Sequence, residues 1–150
     1  MKNESGIIMI DKKYLIETNR KILERHKRKT NESVWIETTA RIDDIIPKVN
    51  SVGNSDNREK DLIEKATTLL AMITWTQPFF DGNRRTGIVA ATKFLRDNGY
   101  DLDMGVEKEN LEIRNMLSEL KKHSSELHVE TMNKLSFYIS KRIKPYEPRR

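Results

Sequence analysis

The chain contains no cysteine, which removes disulfide frameworks and thiolate metal sites from consideration. It has no uncharged apolar run approaching the length that spans a bilayer, and the opening "MKNESGIIMIDKK" has too short an apolar core for a signal peptide. The expected setting is the cytoplasm, with no membrane partner. Internal repeats and linker-like stretches are also missing, so the 150 residues read as one domain over 1–150, with a flexible tail at 144–150. The basic cluster at 19–29 contains no aromatic residue and the one at 141–150 only Tyr146, which falls short of the aromatic interleaving of a nucleic-acid surface. Despite a formal net charge of +5, those clusters therefore read as a solvated helix face and a chain end, and nucleic acid is not an expected partner.

Helical spacing is what fills the sequence. Asp11 suits an N-cap, and after it Leu15, Asn19, Ile22, Leu23 and His26 fall on one face. Ile42, Ile45, Ile46 and Val49 repeat the pattern briefly around Pro47. The stretch 49–59 is rich in Asn, Ser and Gly and reads as a loop or a small hairpin. Leu62, Ala66, Leu69, Leu70 and Ile73 make the strongest stripe. Further stripes run through Ile88, Ala91 and Leu95, through Ile113, Met116, Leu117 and Leu120, and through Met132, Leu135, Ile139 and Ile143. Gly99 suits the left-handed position after a helix. The expected fold is an all-α helical bundle. Charged residues at 34% against 36% hydrophobic ones imply a densely charged surface over that core.

One turn, "TQPFFDGNRRTG", separates the strongest stripe from the next. Pro78 stops the preceding helix near Gln77, and Gly82 permits a backbone that other residues resist. A helix starting at 83–85 would aim backbone N–H groups outward at the positive end of its dipole, an anion-binding arrangement. Arg84 and Arg85 sit in that first turn, where positive charge is unfavourable to the dipole and a phosphate would compensate it. Asp81 could hold a magnesium ion bridging phosphates. Asn83 could cap the helix or orient a phosphate. An ordinary corner, with Asp81 or Asn83 as caps and the arginines paired to acids, explains the same spacing.

The motif "PFFDGNRRTG", with its continuation "TKFLRDNGY", resembles the signature loop of the Fic/Doc (Fido) family, whose pattern is H-x-F-x-[DE]-G-N-[GK]-R. The similarity is greatest to the Doc branch, the death-on-curing toxins. It implies a single helical domain with the signature loop between two central helices and a short flap. It implies a transferase that moves AMP or a phosphoryl group from ATP or another nucleoside triphosphate to a hydroxyl of a protein target, with Mg2+ as cofactor. A translation factor as target and a separate antitoxin as partner follow by analogy with Doc. On that resemblance Asp81 holds magnesium, Gly82, Asn83, Arg84 and Arg85 contact the nucleotide, and Phe79 anchors the loop. The 47–57 segment becomes the candidate flap, aligning a target segment by strand addition.

Two positions depart from the pattern. Arg84 stands where the Doc branch has lysine, exchanging a compact ammonium for a planar fork. Gln77 stands where the family has the histidine that takes the proton from the attacking hydroxyl, and a carboxamide cannot accept a proton near neutral pH. Losing a general base costs on the order of a hundred- to ten-thousandfold in rate. The protein as written is expected to be impaired or inactive in transfer, or to be a nucleotide- or partner-binding pseudoenzyme. Gln77 reads equally as a natural departure and as an introduced replacement. His26, His123 and His128 read as ordinary surface or core-edge histidines. Trp75 and Phe80 bracket the turn and could stack on a base, although Trp75 reads equally well as core packing. "SVWIET" and "SDNREK" match an inhibitory-helix motif too loosely to count.

Overall fold

A computed structural model describes residues 6–30, 37–104 and 107–147. Six α-helices appear among them: α1 (Lys12–Thr30), α2 (Ile45–Asn50), α3 (Arg58–Thr76), α4 (Asn83–Asp97), α5 (Glu107–Lys122) and α6 (Val129–Ser140). A 3-10 turn, Ala40–Asp44, leads into α2. One small antiparallel sheet pairs β1 (Tyr100–Leu102) with β2 (Ile143–Pro145). The all-α expectation holds. No helix among the described residues is long and apolar enough to cross a membrane.

Helix α3 is the axis of the bundle. From Ala66 to Thr74 every residue is buried, the behaviour of a helix enclosed on all sides rather than lying on a surface. Its start is fixed by Asn57, whose side chain accepts from the Lys60 N–H at 3.1 Å. Buried Thr67 and Thr76 satisfy their hydroxyls by donating to the carbonyls four residues back, Ile63 and Met72. Helix α4 packs closest against it. At Gly87 a Cβ would come within 2.9 Å of Leu70 Cδ1, so the two helices approach closely enough that a larger residue there would have to move the Leu70 side chain. Phe94, Leu95, Ile113, Leu117, Leu135 and Ile139 close the core around the pair.

At the near end, Asp11 caps α1 as its sequence position suggests, accepting from the Tyr14 N–H at 2.8 Å. Leu15, Asn19 and Ile22 of α1 are buried, which brings that helix against α4.

Two expectations about the chain's outline are corrected. Residues 47–57 form no hairpin. Pro47 lies in the first turn of α2, where its missing N–H has no intrahelical task. The loop after it wraps the ammonium of Lys65, which donates to the Val52 carbonyl at 2.7 Å and the Val49 carbonyl at 3.2 Å. Residues 47–50 belong to helix α2 and the Val52 carbonyl just after it serves the ammonium, so this segment is helix and loop. The tail expected from 144 is tied down through 146: β2 takes Lys144 and Pro145, and the Tyr146 N–H donates to the Gly99 carbonyl at 2.9 Å. Residues 148–150 lie outside the described ones, as does most of the "SVWIET" match.

Candidate functional site

The turn between α3 and α4 is built from both sides. Helix α3 ends at Thr76, and Gln77 takes a left-handed conformation with φ 50°, the one described non-glycine residue with positive φ. Its N–H still closes the helix onto the Ile73 carbonyl, and its carboxamide folds back to donate to the Thr74 carbonyl at 3.1 Å. The chain then passes through Pro78 to Phe79, which forms an isolated bridge, and bends at Phe80. One edge of this short run pairs with Glu37–Thr39: the Thr39 N–H donates to the Pro78 carbonyl at 2.8 Å and the Phe80 N–H to the Glu37 carbonyl at 3.1 Å. The strand-like neighbour of the loop is thus 37–39, not 47–57.

The other edge belongs to Asn83. Its Oδ1 accepts from the Phe79 N–H at 3.0 Å, and its Nδ2 donates to the Phe79 carbonyl at 2.9 Å. The residue is buried, as is the Phe79 ring, which joins the core as the loop's anchor. Asn83 neither caps α4 nor turns its amide outward. What it offers an incoming anion is its backbone N–H.

Gly82, with φ 76° and ψ 17°, precedes α4. A Cβ there would be strained by that φ and would stand 3.2 Å from Asn19 Nδ2 and 3.5 Å from Leu23 Cδ2. Gly82 supplies no side-chain cap, and α4 has no acidic residue in its first turn. The first helical hydrogen bond runs from the Thr86 N–H to the Gly82 carbonyl at 2.9 Å. The N–H groups of Asn83, Arg84 and Arg85 therefore have no acceptor within the helix and face the positive end of its dipole. This removes the plain-corner explanation in which Asp81 or Asn83 caps the helix. Asp81 directs Oδ1 to the Gly82 N–H at 2.7 Å, which leaves Oδ2 for another partner.

These groups border a cleft of about 360 Å3, formed by Gln77, Phe80, Asp81, Gly82, Asn83, Arg84 and Arg85 with Ile22, Leu23 and His26 of α1 and Lys121 of α5. Asp81 is the one carboxylate among these residues, against three cations. The Arg84 guanidinium is held below its ordinary pKa, first by partial burial and then by the neighbouring guanidiniums of Arg114 and Arg85. It remains charged at neutral pH, so a bound anion would relieve repulsion already present. A larger groove of about 840 Å3 between α3 and α6 contains no residue of the turn. The smaller cleft is the stronger candidate because its charge and the N–H groups that lack a helical acceptor converge on one ligand chemistry.

His26, which reads from the sequence as an ordinary surface or core-edge histidine, lies in this cleft. Lys121 arrives there too, and neither was legible in advance, since both depend on how α1 and α5 pack. The face shared by Ile22, Leu23 and His26 was the available signal for α1. His123 and His128 stack on each other at 3.9 Å on the α5–α6 connection, apart from the cleft. Trp75 is taken up in the structure: its Nε1 donates to the His123 carbonyl at 2.7 Å, and Arg41 lies over its ring. Phe80 is two-thirds exposed and lines the cleft.

A cationic cleft at a helix N-terminus, placed on a glycine turn between two central helices, defines a helical domain suited to holding a phosphate-bearing ligand. Comparison with protein families carries this further. The model described as the Fic/DOC family matches residues 9–95, more than half of the chain, and the chain belongs to that family. No curated protein and no solved structure matches it.

Proposed function

We propose that the cleft binds a magnesium nucleoside triphosphate and that the protein is a Fic-type transferase acting on a hydroxyl of a protein target. The observation that carries this reading is the uncapped first turn of α4 between Arg84, Arg85 and Lys121, in a chain of this family. Phosphate oxygens would take the N–H groups of Asn83, Arg84 and Arg85, with guanidinium forks from the two arginines.

The residues fit magnesium in a limited way. Among the described residues no three His, Cys, Asp or Glu side chains gather as a metal cluster. Asp81 alone, through Oδ2, would supply the protein ligand, and phosphates and water the rest, as is common for this ion. The ion would neutralise charge on the phosphates as they separate. Phe80 would cover the base. The Asp81 carbonyl accepts from Asn19 Nδ2 of α1 at 2.8 Å, which would help fix where the carboxylate stands.

Gln77 occupies the place of the family's histidine and points its amide at the Thr74 carbonyl, so it takes no proton. Transfer by the protein as written is then slow. That same observation favours a second reading, a pseudoenzyme that binds nucleotide or partner without transfer. Arg84, a long cation where a glycine would leave room, favours the Doc-like inverted nucleotide and phosphoryl transfer over AMP transfer.

The test compares the protein with Gln77→His, using ATP labelled at the α- or the γ-phosphate and a cell extract as target source. The reading expects label from γ-labelled ATP to reach protein, more strongly with His. Label from α-labelled ATP alone would make it an AMP transferase. No label from either variant, with nucleotide still bound, would leave the pseudoenzyme.

A further inference from the structure

Asn19 is a fully buried amide between apolar residues of one helix face, with Leu15 one turn before it and Ile22 one turn after. Leucine there would continue the stripe and bury no polar group. Its Nδ2 instead crosses from α1 to the turn, donating to the Asp81 carbonyl at 2.8 Å and approaching the Thr86 hydroxyl at 3.2 Å. Its Oδ1 has no hydrogen-bond partner among the described residues. An orphaned buried carbonyl is costly, so an amide kept at that cost is kept for its NH2. The same NH2 is the nearest atom to the missing Cβ of Gly82. Asn19 therefore sits against the Asp81–Gly82 peptide on both counts, by hydrogen bond and by contact.

We propose that Asn19 is a positioning residue for the cleft: its amide sets the Asp81–Gly82 peptide, and through it the aim of the α4 N–H groups and the Asp81 carboxylate. The geometry is direct. Holding the Asp81 carbonyl toward α1 turns the next N–H, that of Gly82, to the Asp81 side chain and leaves the following three N–H groups facing the cleft. The bond to Thr86, whose own N–H closes the first turn of α4, ties the same amide to the helix start. Asn83 and Phe79 fix the other half of the turn, so Asn19 and Asn83 divide the loop between them. The catalytic consequence rests on the nucleotide reading above; the loop-setting role does not.

Amide hydrogen exchange separates this role from general stability. In Asn19→Ala and in the near-isosteric Asn19→Asp, which keeps an acceptor and loses the donor, exchange at Phe79, Phe80 and Thr86 should speed at least tenfold relative to the α3 amides. Leu15→Ala, on the same face of α1, should change exchange without singling out the turn. Magnesium ATP, titrated well below each variant's melting temperature, should bind at least tenfold more weakly to both Asn19 variants and within twofold of the parent to Leu15→Ala. Turn amides that exchange in step with the rest of the molecule in both Asn19 variants would overturn the proposal. So would unchanged ATP affinity in a folded variant. If the parent protein bound no nucleotide, the nucleotide reading would fall, and the exchange result alone would decide the role of Asn19.

Discussion

Replacing Asn83 by alanine should unfold the protein more easily, although the residue stands where a phosphate contact was expected. Two hydrogen bonds would be lost, at 3.0 and 2.9 Å, both to the buried backbone of Phe79. At roughly 0.5–1.5 kcal/mol each, they account for about 1–3 kcal/mol. The stranded Phe79 N–H and carbonyl add to this, because the Pro78 carbonyl and Phe80 N–H on the other edge already serve Glu37–Thr39 and cannot rearrange to help. Water entering from the cleft would recover part, which brings the expected cost to about 2–4 kcal/mol, a large share of the 5–15 typical of a domain. With a urea slope of roughly 2 kcal/mol per molar, the middle of the usual range, the unfolding midpoint should fall by about 1–2 M. Asn83→Asp should fall similarly at neutral pH, since its carboxylate would oppose the Phe79 carbonyl. A midpoint shift below about 0.3 M at unchanged slope, under the same linear treatment, would refute the reasoning and return Asn83 to the role of a ligand.

Two other outcomes concern the frame. Lys65→Met keeps the aliphatic stem but strands the Val49 and Val52 carbonyls; burial already holds this ammonium below its ordinary pKa, so relief of that burden offsets part of the loss, and thermal unfolding should report a net cost of about 1–3 kcal/mol. The Asp101 carboxyl is held below its usual range, first by the hydrogen bond from Arg96 at 2.8 Å, so its stabilisation is present above the unfolded pKa of about 4 and lost as pH falls through the lower folded value. Asp101→Asn should flatten the acid limb of stability against pH, by about 0.2–1 kcal/mol for a pair this exposed.

The parts of this molecule that local chemistry decides were legible from residues alone. Pro78 and Gly82 located the break between α3 and α4, Asp11 located the cap of α1, and Gly99 located the left-handed turn after α4. What depended on distant packing was not. Asn83 could be given two roles from its position, and the third, clasping Phe79, required the loop to close first. The 47–57 segment has a loop's composition, but its conformation is set by an ammonium from α3 that no local pattern announces. His26 and Lys121 line the same cleft as Gln77 and Arg85 through the docking of α1 and α5, and the partner of Asn19 lies 62 residues away.

The central claim, that the α4 N-terminus is a nucleotide site, is tested most directly by calorimetric titration of the protein and of Arg85→Ala with ATP in the presence and absence of magnesium. The account predicts saturable binding by the parent protein, tighter with magnesium, and a loss of about tenfold or more in Arg85→Ala, the scale of about 1.5–3 kcal/mol expected for hydrogen bonds to a charged group. No heat of binding up to millimolar ATP, or equal binding by Arg85→Ala, would contradict it.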